Sequence, residues 1–161
     1  MTPPETKTEK LPRDLSEKLI LVVDDDQFMR YNLNRFLAAR GFRVNAVKDG
    51  FDVLTACLYL MPDLIISDIR MPRLDGIALL QGLRHRPETR DIPVIFMSAF
   101  VDEEIIEKAR RLGAEYFLGK PFSNEHLFSL ITMVLERRQN RAELAGTEWG
   151  EPEDRRKGSG P

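Results

Sequence analysis

The hydrophobic pattern of the chain alternates short, continuous apolar runs with longer stretches in which apolar residues recur at helical spacing. The apolar runs predict five β-strands, at Leu19–Val23, Arg43–Val47, Leu64–Ser67, Pro93–Met97 and Tyr116–Leu118. Four of these runs are rich in Val, Ile, Leu and Phe and show little polar alternation, which is typical of strands buried on both faces. We therefore predict a sheet that is covered on both sides.

The stretches between the runs predict five helices. The first, Gln27–Arg40, places Met29, Leu33, Phe36 and Leu37 on one face. The others are Phe51–Leu60, Gly76–Arg84, Asp102–Leu112 and a last helix that is capped by Ser123 and carries Leu127, Leu130, Ile131 and Val134 on one face. Five strands alternating with five helices predict a doubly wound α/β fold with a parallel sheet and right-handed crossovers. Ligands of such folds bind at the carboxyl ends of the strands.

The composition changes abruptly towards both ends of the chain. Residues 1–18 hold three prolines and eight charged residues without a periodic apolar pattern, which predicts a disordered leader. Residues 144–161 are equally polar and predict a disordered tail. The chain of 161 residues is therefore expected to contain one domain, from residue 19 to residue 143.

Charge and residue counts exclude several classes of function. The 24 basic and 26 acidic residues give a net charge of −2, which argues against a nucleic-acid-binding domain with a basic face. No apolar run reaches the roughly 18 residues of a membrane helix. Cys57 is the single cysteine and His85 and His126 are the only histidines, which excludes an intramolecular disulfide and a cysteine-based zinc cluster. These counts favour a cytoplasmic domain whose chemistry depends on carboxylates.

Polar side chains follow every predicted strand except the second. Asp24-Asp25-Asp26 follows the first, Asp68 the third, Ser98 the fourth and Lys120 the fifth. Because the strands are parallel, these groups should converge, and clustered carboxylates repel each other unless a cation joins them. Oxygen ligands favour a hard divalent ion, most simply Mg²⁺. A lysine on the opposite side would hold a further anion, so the site has the components for a metal, a phosphoryl group and an acceptor carboxylate.

These motifs, taken in order, resemble the receiver domain of bacterial two-component response regulators. The resemblance covers Leu19 to Arg138 and rests on Leu21-Val22-Val23-Asp24-Asp25, on Asp68 followed by Met71-Pro72 and Asp75-Gly76, on Ser98-Ala99 and on Lys120-Pro121-Phe122. A pair of aspartates after a strand is common, but all of these motifs in order, each at a strand end, are specific. The resemblance implies a flavodoxin-like fold with a five-stranded sheet of order 2-1-3-4-5 and five flanking helices.

The resemblance assigns the acidic residues to phosphorylation and metal binding. It implies that Asp68 is the phospho-acceptor and also a metal ligand. Asp25 would bind Mg²⁺ directly and Asp24 indirectly, and the backbone carbonyl of Arg70 would complete the protein's share of the metal shell.

The same resemblance implies roles for three residues of the later strands. Lys120 would pair with Asp68 at rest and with the phosphoryl oxygens afterwards, and a cis bond before Pro121 would aim it into the site. Ser98 would swing to hydrogen-bond the phosphoryl group. Phe117 occupies the position of the family's switch aromatic, where tyrosine is frequent, so the hydroxyl hydrogen bond is lost here.

Other polar residues near these motifs have structural interpretations. Asp26 and Asp75 are predicted to cap the first and third helices. Cys57 falls on the apolar face of the second helix and is predicted to be buried. We expect His85 and His126 to lie at the surface.

The function implied by the resemblance is a phosphorylation-controlled switch. A histidine kinase or a histidine phosphotransfer protein would supply the phosphoryl group, and a downstream protein would read the surface of helix 4, strand 5 and helix 5. Such a domain catalyses only its own phosphorylation and dephosphorylation, and phosphorylation can also drive dimerisation. Because few residues follow the last helix, we expect a receiver that acts by protein–protein contact.

Four alternatives remain open from the sequence. The chain could be a phosphorelay intermediate or phosphate sink, a module that binds its partner without phosphorylation, or the receiver fragment of a longer regulator with a separate output domain. The fourth is a phosphatase of the haloacid dehalogenase type, whose nucleophile lies on the first strand in an Asp-x-Asp spacing that Asp24 and Asp26 formally satisfy.

Overall fold

Strands and helices alternate strictly along the chain in the structure, a computed structural model that describes residues 11, 15–100 and 102–148. The elements are β1 (Leu19–Val23), α1 (Gln27–Ala39), β2 (Arg43–Val47), α2 (Gly50–Cys57), β3 (Leu64–Asp68), α3 (Gly76–His85), β4 (Val94–Ser98), α4 (Glu103–Arg111), β5 (Tyr116–Gly119) and α5 (Asn124–Glu148). The predicted order of elements is therefore confirmed.

The five strands form one parallel sheet in the order β2-β1-β3-β4-β5, as the resemblance implies. Its register brings the ends of the strands to one edge. Asp68 is paired with Met97 across β3 and β4, and Ser98 is paired with Gly119 across β4 and β5. The residues that follow these strands are consequently neighbours in space, although they are far apart in sequence.

Alternate strand residues are buried in two separate cores, one on each face of the sheet. In β1, Ile20 and Val22 belong to the core formed with α1 and α5, whereas Leu21 and Val23 belong to the core formed with α2, α3 and α4. All five residues of β1 and of β4 are buried. This two-sided burial explains the continuous apolar runs, because neither face of a central strand contacts water.

The packed domain begins earlier than residue 19, where the sequence placed its boundary. Leu15 has none of its surface exposed and is part of the core between the sheet and α1 and α5. Leu11 packs against the same core. The two leucines of this polar segment are too few to give a periodic pattern, so the local sequence did not indicate this packing. The predicted disorder of residues 1–10 and 12–14 concerns positions outside the described residues.

Two helix ends differ from the prediction. Helix α2 ends at Cys57 rather than at Leu60, and Leu58, which lies within the predicted helix, is 65% exposed. Helix α5 continues to Glu148, so residues 144–148, which were predicted to begin a disordered tail, are helical, and the rest of that tail lies outside the described residues. Although α5 has 25 residues, no helix in the described part of the chain is long and apolar enough to span a membrane.

The burial of Leu15 predicts that the segment before β1 contributes to stability. Replacing Leu15 with alanine should lower the free energy of unfolding by about 3 kcal/mol, within the usual range for a buried leucine. Leu58→Ala, at a site that is 65% exposed, is the matched control and should change it little. Urea unfolding of both variants tests this. Equal stability of Leu15→Ala and the unchanged protein would contradict the packing.

Candidate functional site

Three carboxylates meet at the carboxyl edge of β1 and β3. Asp24 and Asp25 follow β1 directly, and Asp68 is the last residue of β3. Each offers an oxygen atom, and these atoms all lie within 4.8 Å of one another. Asp24 is completely buried, Asp68 is half-buried and Asp25 is exposed. The site is therefore shielded from solvent at Asp24 and open to solvent at Asp25.

Lys120 crosses the site from the loop after β5. Its Nζ donates hydrogen bonds to Asp24 Oδ2 at 2.9 Å and to Asp68 Oδ2 at 3.1 Å. The peptide bond between Lys120 and Pro121 is cis, as the resemblance implies. Three carboxylates face one ammonium group, so Lys120 neutralises only part of the negative charge at this edge.

Burial and pairing have opposing effects on the ionisation of this site. Burial raises the pKa of Asp24, although the hydrogen bonds from Lys120 and from the Asp26 amide oppose the rise. Burial alone would lower the pKa of Lys120, but its hydrogen bonds to Asp24 and Asp68 outweigh this effect and raise it. The ammonium form of Lys120 is therefore strongly favoured beside the carboxylates.

The loop after Asp68 packs tightly against the end of β3. The Gly76 amide donates to the Ile69 carbonyl at 2.7 Å, and a Cβ at Gly76 would lie 2.7 Å from the Asp68 carbonyl oxygen. Only glycine permits this close approach. The Arg70 amide donates to Asp68 Oδ1 at 3.3 Å, which places the backbone of Arg70 beside the carboxylate.

Ser98 lies at the end of β4 and is buried. Its hydroxyl donates to the Phe100 carbonyl at 3.0 Å and accepts from the Phe100 amide at 3.2 Å, so both bonds tie it to the loop that leads to α4. The Phe100 ring is 61% exposed, and the Arg70 guanidinium lies 4.5 Å from its centroid. This cation–π contact bridges the loops after β3 and β4 at the mouth of the site.

Phe117 is half-buried in β5, where it packs against the core under α2, α3 and α4. Phe96, its partner across β4 and β5, is completely buried. Phe117 therefore lies one strand away from Ser98, on the side of the sheet that carries α4.

The aspartates that were assigned to helix capping do cap helices. Asp26 accepts hydrogen bonds from the amides of Phe28 and Met29 at the start of α1, and Asp75 accepts from the Ala78 amide at the start of α3. Asp26 thus points along the helix rather than into the acidic cluster.

One polar group at this edge was missed by the sequence reasoning, which found none after the second strand. Asp49 follows β2 by two residues, is buried, caps α2 through the Asp52 amide and pairs with Arg73 from the loop after β3. Its position two residues beyond a strand and directly before a glycine could have indicated a cap. The partner on another loop could not have been found from local spacing.

Residues 20–132 match the family described as the response regulator receiver domain. The chain belongs to this family. The match covers the five strands, apart from Leu19 at the start of β1, and each residue of the acidic and lysine cluster described above.

Similar receiver-containing proteins are longer than this chain. The DNA-binding transcriptional regulator NtrC of Salmonella typhimurium is 34% identical over 134 residues, which are 83% of this chain and 28% of NtrC. The response regulator MprA of a Mycobacterium species is 35% identical over 120 residues, which are 73% of this chain and 50% of MprA. The chain thus spans between about a quarter and a half of the length of these two relatives.

Solved receiver domains have the same fold. The receiver domain of a histidine kinase from Syntrophus aciditrophicus has a TM-score of 0.69 and 32% identity, with 74% of this chain and 90% of that chain covered. The chemotaxis response regulator CheY4 of Vibrio cholerae has a TM-score of 0.69 and 26% identity, with 73% and 98% covered.

The oxygen donors of this receiver domain fit a metal ion. The side chains of this cluster offer carboxylate oxygens, which suit a hard cation. One lysine leaves an excess of two negative charges among the four groups, and a divalent ion would balance that excess. The acidic cluster of Asp24, Asp25 and Asp68 could therefore hold a metal.

Lys120 should stabilise the metal-free receiver domain. Lys120→Met leaves Asp24 buried without its counterion. We expect the free energy of unfolding to fall by about 3 kcal/mol at pH 7, which is comparable to the cost of breaking a buried ion pair. The pKa of Lys120 is raised from its ordinary value of 10.5. The stability that Lys120 contributes is therefore complete below pH 10.5, and it is lost only as the pH rises through the pKa of the folded protein.

The pH dependence provides the check on this prediction. Because the pKa of Asp24 is raised, Asp24 takes up a proton at a higher pH in the folded protein than in the unfolded chain. In Lys120→Met this proton removes the repulsion between Asp24 and its neighbouring carboxylates. The difference between the two proteins should be full at pH 7 and 9 and smaller at pH 5, as measured by urea unfolding in a chelator. Lys108→Met removes an exposed lysine as a control. A difference that is independent of pH would contradict this account.

Proposed function

We propose that this protein is a phospho-accepting response regulator whose Asp68 receives a phosphoryl group from a histidine kinase or a histidine phosphotransfer protein. The observation that carries the proposal is the position of Asp68. Its carboxylate lies beside those of Asp24 and Asp25, and it accepts a hydrogen bond from the ammonium group of Lys120, which also bonds Asp24. This combination places a nucleophile, metal ligands and a cation for phosphoryl oxygens in one site.

The chemistry requires no general base, because carboxyl groups of aspartate are ionised at neutral pH as a class. A carboxylate oxygen of Asp68 attacks phosphorus in line, the bond from phosphorus to the donor nitrogen breaks, and the imidazole leaves with that electron pair. Lys120 then exchanges its bond to Asp68 for bonds to the phosphoryl oxygens. When bound, Mg²⁺ would be held by Asp25, Asp68 and the Arg70 carbonyl, with Asp24 indirectly, and would neutralise charge on the transferring group.

The proposed activity is confined to the domain itself. Water that reaches the exposed side of the site, beside Asp25, hydrolyses the acyl phosphate and resets Asp68. No separate substrate is turned over, so the protein is a switch that catalyses its own phosphorylation and dephosphorylation rather than an enzyme acting on other molecules.

A groove beside Lys120 supports docking of the phosphodonor. It has a volume of about 690 Å³ and runs between α1 and the loop after β5, where Met29, Phe36 and Phe122 form apolar walls. Phe28, on the outer side of α1, is 74% exposed. A donor protein must bring its phosphohistidine to Asp68, so its docking surface has to border the site, and this groove does so.

The output surface that we propose comprises α4, β5 and α5. At rest, Ser98 is bonded to Phe100 in the loop that precedes α4. When Ser98 turns to a phosphoryl group on Asp68 it gives up these bonds, which frees the loop and shifts the population of α4 and Phe117 conformations. A downstream protein, or a second copy of the receiver, then binds the altered face.

A longer regulator is the second candidate for the complete protein. This is favoured by relatives such as NtrC, of which the matched receiver region makes up only 28%. The phosphorylation chemistry at Asp68 is the same in both cases, and the two differ in whether the α4-β5-α5 face acts on a separate protein or on a domain of the same chain.

Phosphorylation at Asp68 is directly testable. Incubation with acetyl phosphate and Mg²⁺ should add one phosphoryl group to the protein, and Asp68→Asn should remain unmodified when intact mass is measured. Asp75→Asn is a suitable control, because asparagine also caps helices and Asp75 is bonded to the Ala78 amide. A phosphoryl group found on Asp24 would instead indicate a phosphatase of the haloacid dehalogenase type.

Coupling from Asp68 to α4 should depend on Ser98. Addition of beryllofluoride and Mg²⁺ to the unchanged protein should shift the backbone amide resonances of α4. In Ser98→Ala the resonances around Asp68 should still shift, while those of α4 should respond much less. Ser98→Thr retains the hydroxyl and should restore the response of α4. An undiminished response in Ser98→Ala would show that the signal reaches α4 by another route.

A further inference from the structure

An ion pair outside the acidic cluster connects the loops after β2 and β3. The Arg73 guanidinium binds the Asp49 carboxylate, and the side chain of Asp49 is only 5% exposed. The same guanidinium lies 5.1 Å from the centroid of the Phe51 ring. A planar cation that is held by a carboxylate and an aromatic face at once has a defined position.

Arg73 stands at the most strained point of the loop after β3. Its φ angle is 70°, and the Leu74 amide donates to the Pro72 carbonyl two residues back at 2.9 Å. This arrangement is a γ-turn of the rare form with positive φ at its central residue, which is costly for any residue other than glycine. Contacts elsewhere must therefore hold the turn in place.

The contacts that hold the turn come from the start of α2. Leu74 packs on Gly50, where a Cβ would lie 2.8 Å from Leu74 Cδ2. Asp49 is itself fixed, because it accepts a hydrogen bond from the Asp52 amide at 3.0 Å as the cap of α2. That hydrogen bond and the Arg73 guanidinium keep the pKa of Asp49 below its usual range. The pair thus anchors a strained turn to a rigid helix end.

The anchored turn lies in the segment that leads from Asp68 to α3. Arg70 lies three residues before Arg73, and its amide is bonded to the Asp68 carboxylate. A cleft of about 450 Å³ runs between Arg73 and Asp25. The strained turn therefore belongs to the loop that would supply a backbone ligand, and it lies across a cleft from the exposed carboxylate of Asp25.

We propose that Arg73 is a positioning residue, which through its ion pair with Asp49 and its contact with Phe51 holds the loop after β3 in the conformation that binds the metal. The inference rests on the proposed function, because it takes the acidic cluster and the Arg70 carbonyl as the metal site.

Magnesium affinity tests this role independently of phosphorylation. Isothermal titration calorimetry with Mg²⁺ should show that Arg73→Ala binds about five- to tenfold more weakly, comparable to the cost of reordering one loop residue on binding. Acetyl phosphate should modify Arg73→Ala within about twofold of the unchanged rate once Mg²⁺ is saturating, since the reacting groups are intact. Arg90→Ala removes an arginine from an exposed pair with Asp91 and should leave the affinity unchanged.

A double-mutant cycle separates positioning from general destabilisation. Asp49→Asn keeps a capping side chain for α2 but removes the charge that Arg73 pairs with. If the pair acts as a unit, Asp49→Asn and Arg73→Ala should weaken Mg²⁺ binding by a similar factor, and the double variant should be no weaker than either. Thermal unfolding without Mg²⁺ measures the loss of stability separately.

The outcomes distinguish this inference from the proposed function. Unchanged Mg²⁺ affinity in Arg73→Ala, or effects that multiply in the double variant, would overturn the positioning role while the proposed function stands. Failure of the unchanged protein to bind Mg²⁺ and to accept a phosphoryl group would overturn both. Weaker binding in both single variants, without further loss in the double variant, supports the inference.

Discussion

Concentrated negative charge at one edge of the sheet is the constraint on which this structure depends. Asp24, Asp25 and Asp68 present oxygen atoms within 4.8 Å of each other, and like charges at that distance repel strongly. Strands buried on both faces hold two of these residues in place, and Lys120 compensates part of the charge. The scaffold therefore holds an unfavourable group of charges at the carboxyl edge of the sheet, where a divalent cation could offset them.

The loops around this edge are held by contacts that each join two of them. Arg70 lies over Phe100 between the loops after β3 and β4, and Arg73 is bonded to Asp49 between the loops after β3 and β2. The loop after β3 is thus fixed on both sides by guanidinium groups, while its start is fixed by the close contact at Gly76. In the proposed switch, a change at Asp68 has to compete with these contacts, which favours two discrete arrangements over gradual adjustment.

The architecture follows from the sequence because its determinants are local. Buried strands give continuous apolar runs, helices give periodic ones, and caps such as Asp26 and Asp75 stand directly before the helices they stabilise. The remaining features depend on contacts between distant residues. Asp49 and Arg73 are separated by 24 positions, and Leu15 is buried in a core that residues of α1, α5 and the sheet form together. The apolar pattern of α2 continues past its end, so periodicity alone predicted a helix that was three residues too long.

Helix α5 extends well beyond the core that it helps to form. Its last buried residue among those described is Leu135, and the helical backbone continues to Glu148. At a rise of about 1.5 Å per residue, these thirteen residues make a rod of roughly 20 Å. A rod of this kind converts a small rotation of α5 on the sheet into a larger displacement at its far end. In the proposed switch the helix would therefore work as a lever, because its far end moves further than the part that packs on the sheet.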